Sequence, residues 1–463
     1  MSIPGIRKLY IGSTDVVRAY LGETLVYATT LLDKLFANDE PGFWLNASPE
    51  TCFTDLAGTT PAGPGDSVAY WQDLSGNDNH ATQPTVANRP ILGRKPVGGR
   101  RNLLERTEEL TDSSYWTDSG FTFADHMEAI GNGFFWFHPT TTNARLFANN
   151  VGDVSPENVT VTYSIYFIRT PENPSAFAIL SGSSLTTNSA RVRVNTGTLE
   201  LSETGGDPFI DAGVEHISGD VYRLYLTHDG TGQLRFCVRY REHTEDNPVF
   251  IGFPQLEEGS TFTPYQRVTN RFDVTEAGVP DRHYLFFGGA SDPRGMQTPV
   301  ITPGTDKVQV FTGLRKHIDE NNATVIEAGN TANDLGSFLL TVPTGSTNGF
   351  FRSRGTGAFR NSDDLPDEPA PASMVLAGIG DISGPLVDLR YNGVSAGSNN
   401  SSQGSGNYES RVMHIGTRLG ASNFYDGEIY SLITRFGSNL SEETIAQVES
   451  YIADNVPEET LNT

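Results

Sequence analysis

The sequence predicts an all-β protein assembled from sandwich domains, and three observations lead there. Glycine (48) and proline (26) together make up about one residue in six of the 463, the density of turn formers that many short strands require. Hydrophobic residues stand at 37% and charged residues at 19%, both low for a helical enzyme. Runs such as Val221–Thr227 alternate apolar and polar side chains, the period of a half-buried strand. At roughly 100–200 residues per domain, the length calls for two to four units.

Taken in order, the elements support this class. Tyr10-Ile-Gly-Ser-Thr-Asp-Val is echoed by Tyr20-Leu-Gly-Glu-Thr-Leu-Val. Each copy reads as strand, glycine turn and strand. A segment this short cannot bury its own core. Residues 1–30 are therefore read as a small β docking module, with Tyr10, Tyr20 and Tyr27 as its candidate docking residues. A hairpin packed on its own chain is the alternative. Residues 31–40 read as a short connecting helix, and Phe43–Ala47 as a strand. Val68–Leu74 runs into Ser75-Gly-Asn-Asp-Asn79, a turn-forming cluster. Further strands are predicted at Val159–Ile168, Ala190–Val194, Val221–Thr227, Leu234–Tyr240, Val308–Lys316, Gly336–Val342, Ala372–Ile379 and Leu386–Tyr391. One helix closes the chain. Ser441 is a good N-cap, Glu442 and Glu443 favour the positive end of the helix, and Ile445, Val448 and Ile452 share a face.

Two stretches carry family resemblances. Trp44-Leu-Asn-Ala-Ser48, with Tyr70-Trp-Gln-Asp-Leu-Ser-Gly-Asn-Asp-Asn-His80, resembles the opening of a laminin-G-like, concanavalin-A-type jelly roll. The matching end comes hundreds of residues later, in His414–Arg418, Phe424–Ile433 and the Leu440–Ile452 helix. Between them, Arg101-Asn-Leu-Leu104 with Ser114–Thr117, and Phe253-Pro-Gln-Leu-Glu-Glu-Gly-Ser-Thr-Phe-Thr-Pro-Tyr265, are similar to the first and last strands of β-sandwich carbohydrate-binding modules, as found in viral fibre proteins. The resemblance implies two nested jelly-roll sandwiches. Residues 31–98 and 276–458 would form one, 99–275 the other, and 459–463 a tail. Insertion is mechanically reasonable at an exposed loop whose flanking chain ends lie close together.

Candidate chemistry is sparse. Gly393-Val-Ser-Ala-Gly397 matches the G-x-S-x-G pattern, but the polar run behind it cannot start the helix that a nucleophile elbow needs. Asn392-Gly393 reads instead as a hairpin turn. The nine histidines show no metal-binding spacing. Cys52 and Cys237 read as buried thiols. Asp73, Asn77 and Asn79 present oxygen ligands at alternating positions. They fit either a structural calcium, the one cofactor the sequence suggests, or a turn in which Asp and Asn bond their own backbone. The aromatic run Phe134-Phe-Trp-Phe-His138 is the better lead. Phe134 and Trp136 share one strand face and Phe135 and Phe137 the other, so one face is core and the other a candidate sugar platform. Arg191 with Arg193, and Arg239 with Arg241, are candidate hydrogen-bonding partners for a glycan.

Charge narrows the partners. Lys plus Arg number 32 against 56 acids, a formal charge of −24, which disfavours nucleic-acid binding through phosphate neutralisation. No run approaches the roughly 18 apolar residues of a membrane helix, and no secretory h-region is visible. Together with the resemblances, these features suggest a structural protein of a tailed-phage or gene-transfer-agent particle. It would be a head-spike, tail-fibre or tail-tip component, assembled in the host cytoplasm. Its expected partners are other virion proteins, copies of itself and a host surface glycan, and its expected role is non-catalytic. A depolymerase or esterase of the same particle and a purely structural connector are the other readings.

Overall fold

The computed structural model describes residues 10–11, 14–15, 18–21, 24–28, 31–119, 122–123, 127–137, 144–148, 159–180, 190–205, 209–230, 236–240, 248–320, 323–330, 334–342, 349–362 and 368–456. The fold is all-β, with one substantial helix near the C-terminus and a five-residue helix at Leu31–Leu35. The chain divides into two compact units. One comprises Met1–Val97 and Arg282–Thr463, the other Gly98–Asp281.

In the first unit, the tyrosine echo forms two hairpins, Tyr10–Ile11 with Thr14–Asp15 and Arg18–Leu21 with Thr24–Ala28. The sandwich that follows packs two antiparallel sheets. The long-stranded sheet runs Ile91–Pro96, Asp281–Gly288, Asp426–Phe436, Lys307–Lys316, Ala372–Asp381, Leu386–Tyr391 and Val394–Asn399. Asp426–Phe436 is long enough to share one edge between two partners: Leu285–Gly288 pairs with its first residues, and Gly42–Asn46 with Ser431–Arg435. The opening strand of the resemblance thus lies hydrogen-bonded to its closing strand. The second sheet is built of short strands, in the order Arg360–Asn361, Phe351–Arg354, Ser337–Thr341, Thr324–Ala328, His414–Ile415, Met296–Gln297, Ala81–Thr82, Tyr70–Trp71 and Cys52–Phe53. Leu45, Trp71, Phe287, Val310, Phe338 and Leu432 meet in the core between the sheets.

The Glu442–Ala453 helix starts where its cap predicts, with the Ser441 side chain accepting from the Thr444 amide. It buries Ile445, Val448 and Ile452 on the Lys307–Lys316 and Ala372–Asp381 strands. Gly313 makes that approach possible, since a Cβ there would lie 2.6 Å from Ile452 and 2.5 Å from Val456.

The second unit is a sandwich of two six-stranded antiparallel sheets. One runs Trp116–Ser119, Arg145–Ala148, Cys237–Tyr240, Ala176–Leu180, Arg191–Asn195 and Leu201–Gly205. The other runs Met127–Gly131, Phe134–Phe137, Val249–Glu258, Val159–Ile168, Val221–Gly230 and Asp211–Ser218. Phe137, Tyr163, Phe167, Phe177, Val238 and Ile251 interdigitate between them.

The Arg101–Leu104 and Phe253–Tyr265 motifs of this unit form its latch. Gln266 Oε1 accepts from the amides of Arg101 (2.7 Å) and Asn102 (3.2 Å). The Asn102 amide group donates to the carbonyls of Pro254 and Gln266, while its oxygen accepts from the Leu256 amide. Glu257 takes the Thr263 amide at 2.9 Å and its hydroxyl at 2.6 Å. Arg223, 2% exposed, donates to the Thr263 carbonyl and the Ser164 hydroxyl and lies over the Tyr166 and Phe262 rings. The Gln255–Tyr265 motif is therefore a lid of buried polar contacts. A buried donor or acceptor left unpaired would cost about 1–3 kcal/mol, so each of these polar residues is held in place by the partners it satisfies.

Candidate functional site

The aromatic strand becomes a site through its register. Asn132 and Gly133 both take positive φ (51° and 77°) and reverse the chain between Met127–Gly131 and Phe134–Phe137, the two-residue hairpin that Asn-Gly favours. Alternation then sends Phe135 (4% exposed) and Phe137 (0%) into the core. Phe134 and Trp136 face outward, half-buried. Trp136 stands directly opposite Phe250 on the neighbouring strand. With Pro248 and the Thr170–Asn173 loop, the two rings line an open cleft of about 430 Å³. Glu172 and Asn173 are exposed on its wall, and Thr170 is held by a hydroxyl–hydroxyl hydrogen bond to Thr196 at 2.6 Å. Two aromatic rings with a carboxylate, an amide and a hydroxyl beside them can stack on a sugar ring and bond its hydroxyls.

Phe134 does not line this cleft. Its ring meets Phe253 edge-on, with centroids 5.0 Å apart, so it buttresses the strand. Trp116, from the opening motif, is 1% exposed, and its indole nitrogen donates to the Arg106 carbonyl at 3.0 Å.

The described candidate arginines, Arg191, Arg193 and Arg239, lie on the other sheet of this unit. Arg191 and Arg193 face outward and half-buried, because Val192 and Val194 on the same strand are core. Arg193 pairs across to Ala178, Ala178 to Arg239 and Arg239 to Arg145. Three guanidinium-bearing positions therefore share one row, with Arg145 directly opposite Arg239 and the small Ala178 between Arg239 and Arg193. Arg145 was not singled out by the sequence, since it sits alone in its local run. Arg241 lies outside the described residues, as does His138. The structure thus places Trp136 on one sheet and Arg145, Arg191, Arg193 and Arg239 on the other, forming two surfaces.

The suggested calcium position is built as a turn. Asp73 is 5% exposed. Its Oδ1 accepts from the amides of Trp44 and Ser75, and its Oδ2 from the Ser75 hydroxyl and the Asn79 amide, all within 2.8–2.9 Å. Asn77 and Asn79 turn their amide nitrogens to the Glu40 and Gly42 carbonyls. Donors facing the carboxylate and amide nitrogens facing carbonyls describe a chain-folding cluster, and this donor set does not fit a cation. Among the described residues, no group of three His, Cys, Asp or Glu side chains is placed to hold a metal.

Gly393-Val394-Ser395 follows an Asn392-Gly393 hairpin turn into the Val394–Asn399 strand, and the Ser395 hydroxyl donates to Asp388 at 2.7 Å. Cys52 and Cys237 are buried free thiols. Tyr10, Tyr20 and Tyr27 fall on the N-terminal strands, and their side chains lie outside the described residues.

The cleft residues missed by the sequence reading are Phe250, Pro248 and Thr170–Asn173. Phe250 belongs to an alternating run that leads into the Phe253–Tyr265 motif, and its outward position was in principle readable. The loop residues carry no local signal.

No protein-family model matches the chain, and no curated protein matches it in sequence. Solved structures match weakly and in part. Domain 4 of AbnA, an extracellular GH43 arabinanase from Geobacillus stearothermophilus solved with arabinotriose, is 13% identical with a TM-score of 0.30, covering 41% of this chain and 83% of that one. The CBM40 of the Ruminococcus gnavus IT-sialidase, bound to α2,3-sialyllactose, is 16% identical with a TM-score of 0.26, covering 31% and 83%. Domains LG4-5 of the mouse laminin α1 chain are 10% identical with a TM-score of 0.25, covering 67% and 90%. Likenesses this low carry no argument about ligands.

Proposed function

We propose that this protein is a non-catalytic glycan-binding protein and that the Trp136–Phe250 cleft is its principal site. The observation that carries the reading is the pair of rings set opposite each other in register on the solvent side of a sheet, above a cleft of about 430 Å³. Apolar faces of a pyranose would stack on the rings, while Thr170, Glu172 and Asn173 would bond its hydroxyls. The row of Arg145, Arg239 and Arg193 on the other sheet gives the same unit a second surface, suited to the carboxylates of an acidic polysaccharide. Shallow sites of this kind bind weakly one at a time, and many copies on one particle multiply the effect.

The test is Trp136→Ala in the full chain, with binding to host-envelope polysaccharides as readout. Loss of a stacking platform should weaken binding by about 1–3 kcal/mol, roughly 5–150-fold, with a smaller fall in melting temperature than loss of a core aromatic would give, because the half-buried ring lies outside the core. Unaltered binding would remove the cleft from the reading. Release of reducing ends or acyl groups from the polysaccharide would replace it with the depolymerase or esterase reading.

The finer proposal is that the chain belongs to a tailed-phage-type particle, as spike, fibre or tail-tip component. It is supported by the fibre-like latch motif and by the N-terminal hairpins, which would dock on other virion proteins.

A further inference from the structure

The jelly-roll unit has a cleft of its own, on the outward side of its short-stranded sheet. One register row crosses that sheet: Thr82 opposite Gln297, Gln297 opposite His414, His414 opposite Glu327, Glu327 opposite Leu339, and Leu339 opposite Arg352. Along each strand the neighbours of these residues are core, as with Met296, Met413, Ile415, Ile326, Leu340 and Phe351. The row therefore faces away from the sandwich interior. Where it reaches Gln297 and His414, the sheet meets the 83–88, 293–297 and 417–424 segments, and a cleft of about 240 Å³ opens between them.

Its wall is polar and electrically quiet. Gln83, Asn88, Gln297, His414, Thr417 and Phe424 line it. The loops are held by their own bonds: the Gln83 side-chain amide donates to the Gly295 carbonyl at 2.6 Å, and the Gly295 amide to the Asn88 carbonyl at 3.0 Å. Arg294, also on the wall, is paired with Asp292 at 2.8 Å and donates to the Arg89 carbonyl. Burial lowers the pKa of His414, which favours a neutral imidazole. Gln297 remains exposed. Amides, an imidazole and a hydroxyl around one aromatic ring match a ligand rich in neutral hydroxyl groups with one apolar edge. The charged side chain on this wall, Arg294, is already paired with Asp292, so the lining favours a neutral ligand.

We propose that this cleft is a second saccharide site, taking one neutral pyranose unit, with Gln297 and His414 bonding its hydroxyls and Phe424 covering its apolar edge. The site does not depend on the Trp136 cleft, from which it differs in sheet, unit and lining.

The test uses the full chain carrying Trp136→Ala, titrated with the methyl glycosides of glucose, galactose and mannose and followed by ligand-observed NMR. At least one glycoside should bind, and glucuronate should bind more weakly than glucose. Gln297→Ala should weaken that binding by about three- to tenfold, as expected for the loss of one or two hydrogen bonds. Its melting temperature should not move, since the side chain is exposed. His414→Asn, as a second variant, should weaken binding as well. Failure of all three glycosides to bind, or binding indifferent to Gln297→Ala, overturns the proposal. Polysaccharide binding by the unmutated chain, lost on Trp136→Ala but kept on Gln297→Ala, would leave the first site standing while the second fails.

Discussion

Glu428 shows how much one residue can depend on its surroundings. It is 5% exposed, and Lys95 Nζ approaches to 2.7 Å, His317 Nε2 to 3.1 Å, while the Tyr430 hydroxyl donates to it. Lys95 also lies over the Tyr284 and Tyr430 rings, at 5.5 and 5.7 Å. Burial pulls the carboxyl pKa upward, but the Lys95 charge and the His317 bond outweigh it, and the net direction is well below the ordinary carboxylate range. A carboxyl lowered on folding stabilises the native state above its unfolded pKa, about 4.5, and loses that contribution progressively as pH falls toward the folded value. The melting temperature should therefore hold from pH 7 to about 5 and then fall. Glu428→Gln leaves the Lys95 charge buried without its counterion and should lower stability at pH 7 by about 3–5 kcal/mol. It should also flatten the acid dependence. Melting curves between pH 3 and 7 for both proteins check this, and parallel curves would show that the pair contributes little. None of these contacts was legible beforehand, because Lys95, His317 and Glu428 meet only through strand order. The turn at Asp73 was legible in part: its residue types suited a turn and left an ion open, and the direction of each amide separated the two.

Among the elements, the long ones were readable and the short ones were not. Val159–Ile168 and Leu386–Tyr391 have the bounds their alternation implies, and the Asn392-Gly393 hairpin and the Ser441 cap stand where turn and capping chemistry put them. Cys52–Phe53, Ala81–Thr82, Met296–Gln297 and His414–Ile415 are two residues each, and a period of two cannot be detected in two residues. Those strands assemble the sheet that holds the second cleft; His414, Thr417 and Phe424 lie in stretches the resemblance marked, but nothing local brings them to Gln297. The latch is the opposite case, since both of its motifs were visible and the structure shows the bonds between them. We expect residues 98–281, expressed alone, to unfold cooperatively in denaturant. Asn102→Ala should lower their stability by about 1–3 kcal/mol for each buried group left unpaired. A fragment that shows no cooperative transition would mean that this unit depends on the rest of the chain.

At the scale of the whole molecule, the first unit is closed by pairing Gly42–Asn46 with Ser431–Arg435, a contact made only after nearly all of the chain has been laid down. The N-terminal hairpins are the proposed attachment to a particle. Deleting residues 1–28 should leave the melting transitions of the remaining chain in place and remove the protein from purified particles. Incorporation at normal levels would discard that role. The sequence by itself determined the all-β class, the long strands, the closing helix and the motifs that begin and end each sandwich. The class, the strands and the helix follow from local periodicity, turn residues and caps, which act over a few neighbouring positions, whereas the motifs at the ends of each sandwich were marked by resemblance. Tertiary structure alone decided that Phe135 and Phe137, not Trp136, are core, and that Trp136 meets Phe250 and residues 170–173. It also decided that Arg145, Arg239 and Arg193 share a row. Alternation divides a strand into two faces without saying which one another sheet will cover, and a cleft is made by residues that strand order, not chain order, brings together.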